Sequence, residues 1–167
     1  EDRQDGSGRV LYRQSSPVLG FQHWVTPNQM LFVSTGKGYE TPTLAELSYQ
    51  TDPSAAGRIL PRFNGSILAS QNRQWEAGWR GRASNAHRWE LTGFHVLSTN
   101  EIVIDRSVAG QSSFRNAPGT ERFGLEFSGT SKWSTNWHSY ISVSSMQALY
   151  RDRVSPTNLS LDGRWLP

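Results

Sequence analysis

The stretch Trp89-Glu90-Leu91-Thr92-Gly93-Phe94-His95-Val96 constrains this chain more than any other. Its apolar positions recur with a period of two, the period of a β-strand, whose successive side chains point to opposite faces. Trp89, Leu91 and Gly93 fall on one face; Glu90, Thr92, Phe94 and Val96 fall on the other. Both faces are partly apolar, which predicts a strand covered on both sides along part of its length.

Comparable short runs recur, separated by turn formers. Residues 9–13, 18–25, 30–35, 58–63, 89–97, 101–105, 122–128 and 137–143 all read as strands. Helix signals are few. Thr41-Pro42 opens a short helix through Leu47, with Thr41 as its N-cap, and residues 144–151 can form a second. Residues 108–120 are rich in turn formers and read as a long exposed loop. The expected fold is therefore mainly β: two packed, mostly antiparallel sheets of sandwich or jelly-roll type, with one or two short helices. Residues 1–9 read as a flexible polar segment and residues 10–167 as a single β-rich domain.

Absences narrow the chemistry. The chain has no cysteine, which excludes disulfides and thiolate metal sites. Its four histidines (His23, His87, His95 and His138) lack metal-ligand spacing, so no metal centre is expected. Phosphate-cradling, dinucleotide-binding and nucleophile-elbow motifs are also missing. No apolar run is long enough for a membrane-spanning helix, and no transmembrane segment is expected. A secreted, extracellular or virion-surface location fits this composition, and a cytosolic one stays open.

Charge and aromatic residues concentrate between residues 73 and 89. Arg73, Arg80, Arg82 and Arg88 lie there with Trp75, Trp79 and Trp89, opposed only by Glu76. Guanidinium groups pair with carboxylate or phosphate and stack on aromatic rings, so such a segment suits an anionic or ring-bearing ligand. The alternative is tryptophans packed inward and arginines solvated. A second concentration, Trp133, Trp137 and Tyr140, suits stacking on a sugar.

A third set of residues has its own reading. Tyr12-Arg13, Ser34-Thr35 and Gln74-Trp75-Glu76 occur in that order. They resemble the motifs of ADP-ribosyltransferase toxins of the cholera and pertussis type. The resemblance implies NAD as substrate, with Arg13 bracing its phosphates and Ser34 and Thr35 shaping the nicotinamide pocket. Gln74 would orient the acceptor, and Glu76 would be the catalytic carboxylate.

Three functions therefore stand side by side. The leading one is a β-rich recognition module (lectin-like, capsid, spike or tail-type) that needs no cofactor. It would present its Arg/Trp surface to a glycan or other anionic ligand, or self-assemble. The NAD-dependent transferase is the second, and a sequence-tolerant nucleic-acid binder is the third.

Overall fold

The structure, a computed structural model, describes residues 7–55 and 57–151. Six strands form one antiparallel sheet, in the order β1 (Val18–Thr26), β2 (Gln29–Glu40), β5 (Ser70–Ser84), β6 (His87–Val108), β7 (Gln111–Lys132) and β8 (His138–Tyr150). Between β2 and β5 the chain makes a short helix, α1 (Leu44–Leu47), and a two-stranded ribbon of β3 (Tyr49–Thr51) and β4 (Ile59–Pro61). The sheet is an up-and-down meander, with every strand hydrogen-bonded to its predecessor in the sheet.

The two ends of the sheet differ. At one end the connections are brief: Pro27-Asn28, Asn85-Ala86 and residues 133–137. At the other lie the 41–69 connection and the tip of the β6–β7 hairpin. Ala109 and Gly110 form that tip with φ of 48° and 81°. Positive φ at both central residues is what a tight type I′ hairpin turn requires. β6 and β7 are 22 residues each, about 70 Å at the usual strand rise.

Several expectations are corrected here. In place of two packed sheets of sandwich type, the described residues form one large sheet with a small ribbon against it. The predicted loop at 108–120 is a two-residue turn followed by β7, because pairing with β6 imposes order that Gly and Pro do not signal locally. The predicted second helix lies almost wholly in β8; its partner β7 outweighs the helix propensity of Met146, Ala148 and Leu149. Residues 9–13 form no regular strand, although Tyr12 Oη donates to the Ile67 carbonyl at 2.8 Å. The N-cap of α1 is Thr43 rather than Thr41. Thr43 N donates to Glu46 Oε2 at 2.6 Å, and Glu46 N donates to Thr43 Oγ1 at 3.3 Å, which closes a capping box. The N-terminal flexible segment was expected over 1–9, of which residues 1–6 lie outside the described residues.

Burial is concentrated on one side of the molecule. Leu47, Ile59, Ile67, Ala69 and Ala117 are buried, and so are the polar residues Asp52, Asn64 and Ser113. All belong to the 41–69 connection or to the part of β7 on which it packs. Asn116 staples the two together: its Oδ1 accepts from Leu68 N at 2.8 Å and its Nδ2 donates to Leu68 O at 2.9 Å. Thr51 Oγ1 and Ser113 Oγ meet at 2.9 Å. The long-loop end thus carries a small conventional core.

Asp52 organises the turn between β3 and β4. Its Oδ1 accepts from Ser54 N at 2.9 Å and from Ser54 Oγ at 2.6 Å, with the Arg58 guanidinium 3.9 Å from Oδ2. The Ser54 hydrogen bonds, aided by Arg58, hold its carboxyl below the ordinary value. A depressed folded-state pKa stabilises the turn at pH above the ordinary carboxylate value of about 3.9 and releases it as pH falls through the lower, folded-state value. Amide protection across residues 49–61 is therefore expected to drop in that acid range. Asp52→Asn should abolish the transition, and an unchanged acid midpoint in that variant would show that another carboxylate controls it.

Candidate functional site

The sheet has two chemically distinct faces. Cross-strand register places Phe21, Val33, Ala77, Gly93, Leu125 and Ser145 in one row across all six strands. The next row on the same face holds His23, Leu31, Trp79, Leu91, Phe127 and Val143. These apolar side chains are not buried by protein: Phe21 is 68% exposed, Val33 51%, Leu125 59% and Val143 56%. Rows on the opposite face are polar from β5 to β8 and more apolar at β1 and β2. One reads Trp24, Met30, Arg80, Glu90, Ser128 and Ser142; another reads Gln22, Phe32, Gly78, Thr92, Glu126 and Ser144.

The sequence-predicted ligand residues fall on both faces, so they make no single surface. Trp75 and Trp79 lie on the apolar face, where Trp79 meets Trp89 edge-on with centroids 4.4 Å apart and Trp75 stacks on His95 at 5.5 Å. Arg80, Arg82 and Arg88 lie on the polar face. Arg80 grips Glu90 with two hydrogen bonds, Nε to Oε2 at 2.7 Å and Nη2 to Oε1 at 2.9 Å. Arg82 Nε donates to Asn28 Oδ1 at 2.9 Å, and Arg88 pairs across from Arg82 in the sheet. Arg73 shares the face of Trp75, with its guanidinium 5.9 Å from the indole centroid. Trp133 and Trp137 are exposed at the β7–β8 turn, where Trp133 Nε1 donates to Ser139 Oγ at 2.9 Å; Tyr140 lies on the polar face of β8. A period of two separates what looks contiguous in sequence.

The motif residues of the toxin resemblance are only partly brought together. Ser34 and Glu76 are direct cross-strand partners on the polar face, with Ser34 Oγ donating to Glu76 Oε2 at 3.4 Å. Thr35 sits on the apolar face and donates to the Gln74 carbonyl at 3.0 Å. Arg13 is exposed in the segment before β1.

Water cannot be the partner of the apolar face. Contiguous apolar patches on water-soluble proteins rarely exceed a few hundred Å², and this face carries large apolar side chains on all six strands. A meander that is apolar on one exposed face and more polar on the other, with brief turns at one end and a long connection and a long hairpin at the other, has the pattern of the wall of a membrane-spanning β-barrel. Within that class the chain belongs to the TonB-dependent receptor-like β-barrel family, whose pattern matches residues 2–167. A solved mutant of the ferric enterobactin receptor from Pseudomonas aeruginosa matches with a TM-score of 0.59 at 20% identity, covering 78% of this chain. This chain spans 21% of the length of that receptor.

These findings correct the functional expectations. The resemblance to ADP-ribosyltransferase toxins does not hold: the family match covers all three motifs, with Ser34-Thr35 and Gln74-Trp75-Glu76 on paired strands of the sheet and Arg13 in the segment before β1. The lectin, capsid, spike and nucleic-acid-binding readings fall for the same reason. TonB-dependent receptors are outer-membrane proteins, so the expected surface location stands in that coarser sense, but simple secretion does not. Among the described residues no helix is long and apolar enough to cross a membrane, and a barrel crosses with strands instead.

Sequence reasoning missed the alternation in β5. Its polar face reads Gln74, Glu76, Gly78, Arg80 and Arg82, and its apolar face reads Trp75, Ala77 and Trp79. The alternation is masked in the sequence because arginine and tryptophan, dense along the segment, go to opposite faces.

Proposed function

We propose that this chain forms part of the wall of an outer-membrane uptake receptor, with the apolar face against lipid and the polar face towards the lumen. The observation that carries the reading is the exposed apolar face, kept in register across all six strands of the sheet. The short-turn end faces the periplasm, as short turns do in such barrels, and the 41–69 connection with the β6–β7 hairpin projects outward. The solved neighbour is a ferric enterobactin receptor, which recommends a ferric chelate as the ligand and TonB as the energising partner.

Because the chain has no cysteine, single cysteines report each face cleanly. In a cysteine-free form of the protein in outer membranes, Val33→Cys should resist a water-soluble maleimide and react with a lipid-soluble one. Ser34→Cys, its neighbour on the other face, should do the reverse. Equal aqueous labelling at both positions would sink the wall assignment. Uptake of a radiolabelled ferric chelate that vanishes with the receptor, and persists only with an intact TonB system, would support the transport reading; TonB-independent uptake would overturn it.

A further inference from the structure

The apolar face is not uniform. It forms a broad open groove of about 1070 Å³ lined from all six strands, with the small residues Ala77 and Gly93 on its floor and Leu19, Phe21, Trp75 and Leu125 among its walls. One side-chain row beyond it, towards the long-loop end, Lys37 and Arg73 are direct cross-strand partners on this same face. Both are exposed, and neither has an ion-pair partner among the described residues. Like charges set opposite one another in a sheet destabilise it unless something neutralises them.

No acid among the described residues does so. The one carboxylate in that row, Glu121, is engaged by the His95 ring at 2.7 Å and by the Arg151 guanidinium. Arg73 lies against Trp75, Trp75 stacks on His95, and His95 is held by Glu121. The rim is thus pre-ordered by a run of contacts, which lowers the entropy cost of receiving a ligand.

We propose that Lys37 and Arg73 form a binding site for the phosphate of an anionic lipid of the outward-facing leaflet, whose acyl chain occupies the groove over Ala77 and Gly93. This rests on the assignment of the apolar face to lipid. Charge complementarity selects the occupant: a neutral lipid would leave the two cations unmatched, and a free phosphate would leave the groove unused. A cation at a membrane surface gains measurably from an anionic headgroup, and two such gains give a preference on the order of 10-fold over a neutral lipid.

The test uses the whole receptor, free of other cysteines, with a fluorophore on Leu91→Cys, which shares the face but lies beside the groove, in vesicles with brominated acyl chains. Quenching by brominated phosphatidylcholine reports only that this face meets lipid. Stronger quenching by brominated phosphatidic acid at equal mole fraction reports the site. Lys37→Gln with Arg73→Gln should remove that excess and leave the phosphatidylcholine signal unchanged, which also shows that the variant is folded. No quenching by either lipid would defeat the wall assignment itself. Phosphatidylcholine quenching without an excess for the anionic lipid would overturn the site alone. Loss of the excess on adding millimolar inorganic phosphate would assign the cations to free phosphate and overturn the lipid proposal.

Discussion

Leu125→Arg is expected to destabilise the protein in phospholipid vesicles by about 2–4 kcal/mol, the cost of a cation near the bilayer midplane on the lipid side of a barrel. Leu125 is the centre of the apolar run of β7, between Phe123 and Phe127, with Glu121 and Gly129 beyond on the same face. It is 59% exposed, so most of its side-chain surface meets the surrounding medium and not protein. What the substitution changes is the fit to that medium. Glu126→Arg, one residue along but on the polar face, should stay within about 0.5 kcal/mol, as exposed substitutions in water do. Denaturant unfolding of both variants in vesicles decides the matter. Equal losses would mean that the two faces meet the same solvent.

Gly124→Val should cost about 1–3 kcal/mol, through overpacking rather than solvation. A Cβ at Gly124 would run into the Ser145 carbonyl oxygen, would sit 3.0 Å from Met146 Cα and would lie 2.9 Å from Phe94 Cζ. Two of those atoms are backbone of β8, so relief requires the strand to move. Amide exchange in β8 should therefore accelerate while β5 and β6 stay protected. Gly93→Ala is the comparison, since its nearest neighbour is the end of the Leu125 side chain at 3.3 Å, which can rotate away. If both variants behave alike, the β7–β8 approach is less constrained than described.

Much of the strand content was legible in the sequence, because alternation is a local signal. The runs at 18–25 and 30–35 lie within β1 and β2, and those at 89–97 and 101–105 turn out to be one strand. The hairpin turn at Ala109-Gly110 was lost inside a longer polar stretch, since the order of β7 comes from β6 and not from its own residues. The larger failure concerned solvent. Trp89, Leu91 and their neighbours were expected to face a protein layer, the usual destination of apolar side chains. The same pattern serves equally well when the covering layer is hydrocarbon. Each strand alone carries that signal weakly, and only the register, which aligns Phe21, Val33 and Leu125 across the sheet, makes it unambiguous. The Arg/Trp segment hides its arrangement for a related reason: density in sequence is not density in space when neighbours alternate between faces.

Among the described residues β1 and β8 are the outer strands of the sheet, and each has a row of backbone amides and carbonyls without a strand partner on one side. In water those groups are solvated at little cost. In hydrocarbon each orphan costs several kcal/mol, so this sheet cannot slip into a bilayer as a half-finished curtain. On the proposed wall assignment, the strands flanking β1 and β8 pair with them as the wall crosses the lipid, so that sealing the seam and entering the membrane become a single event.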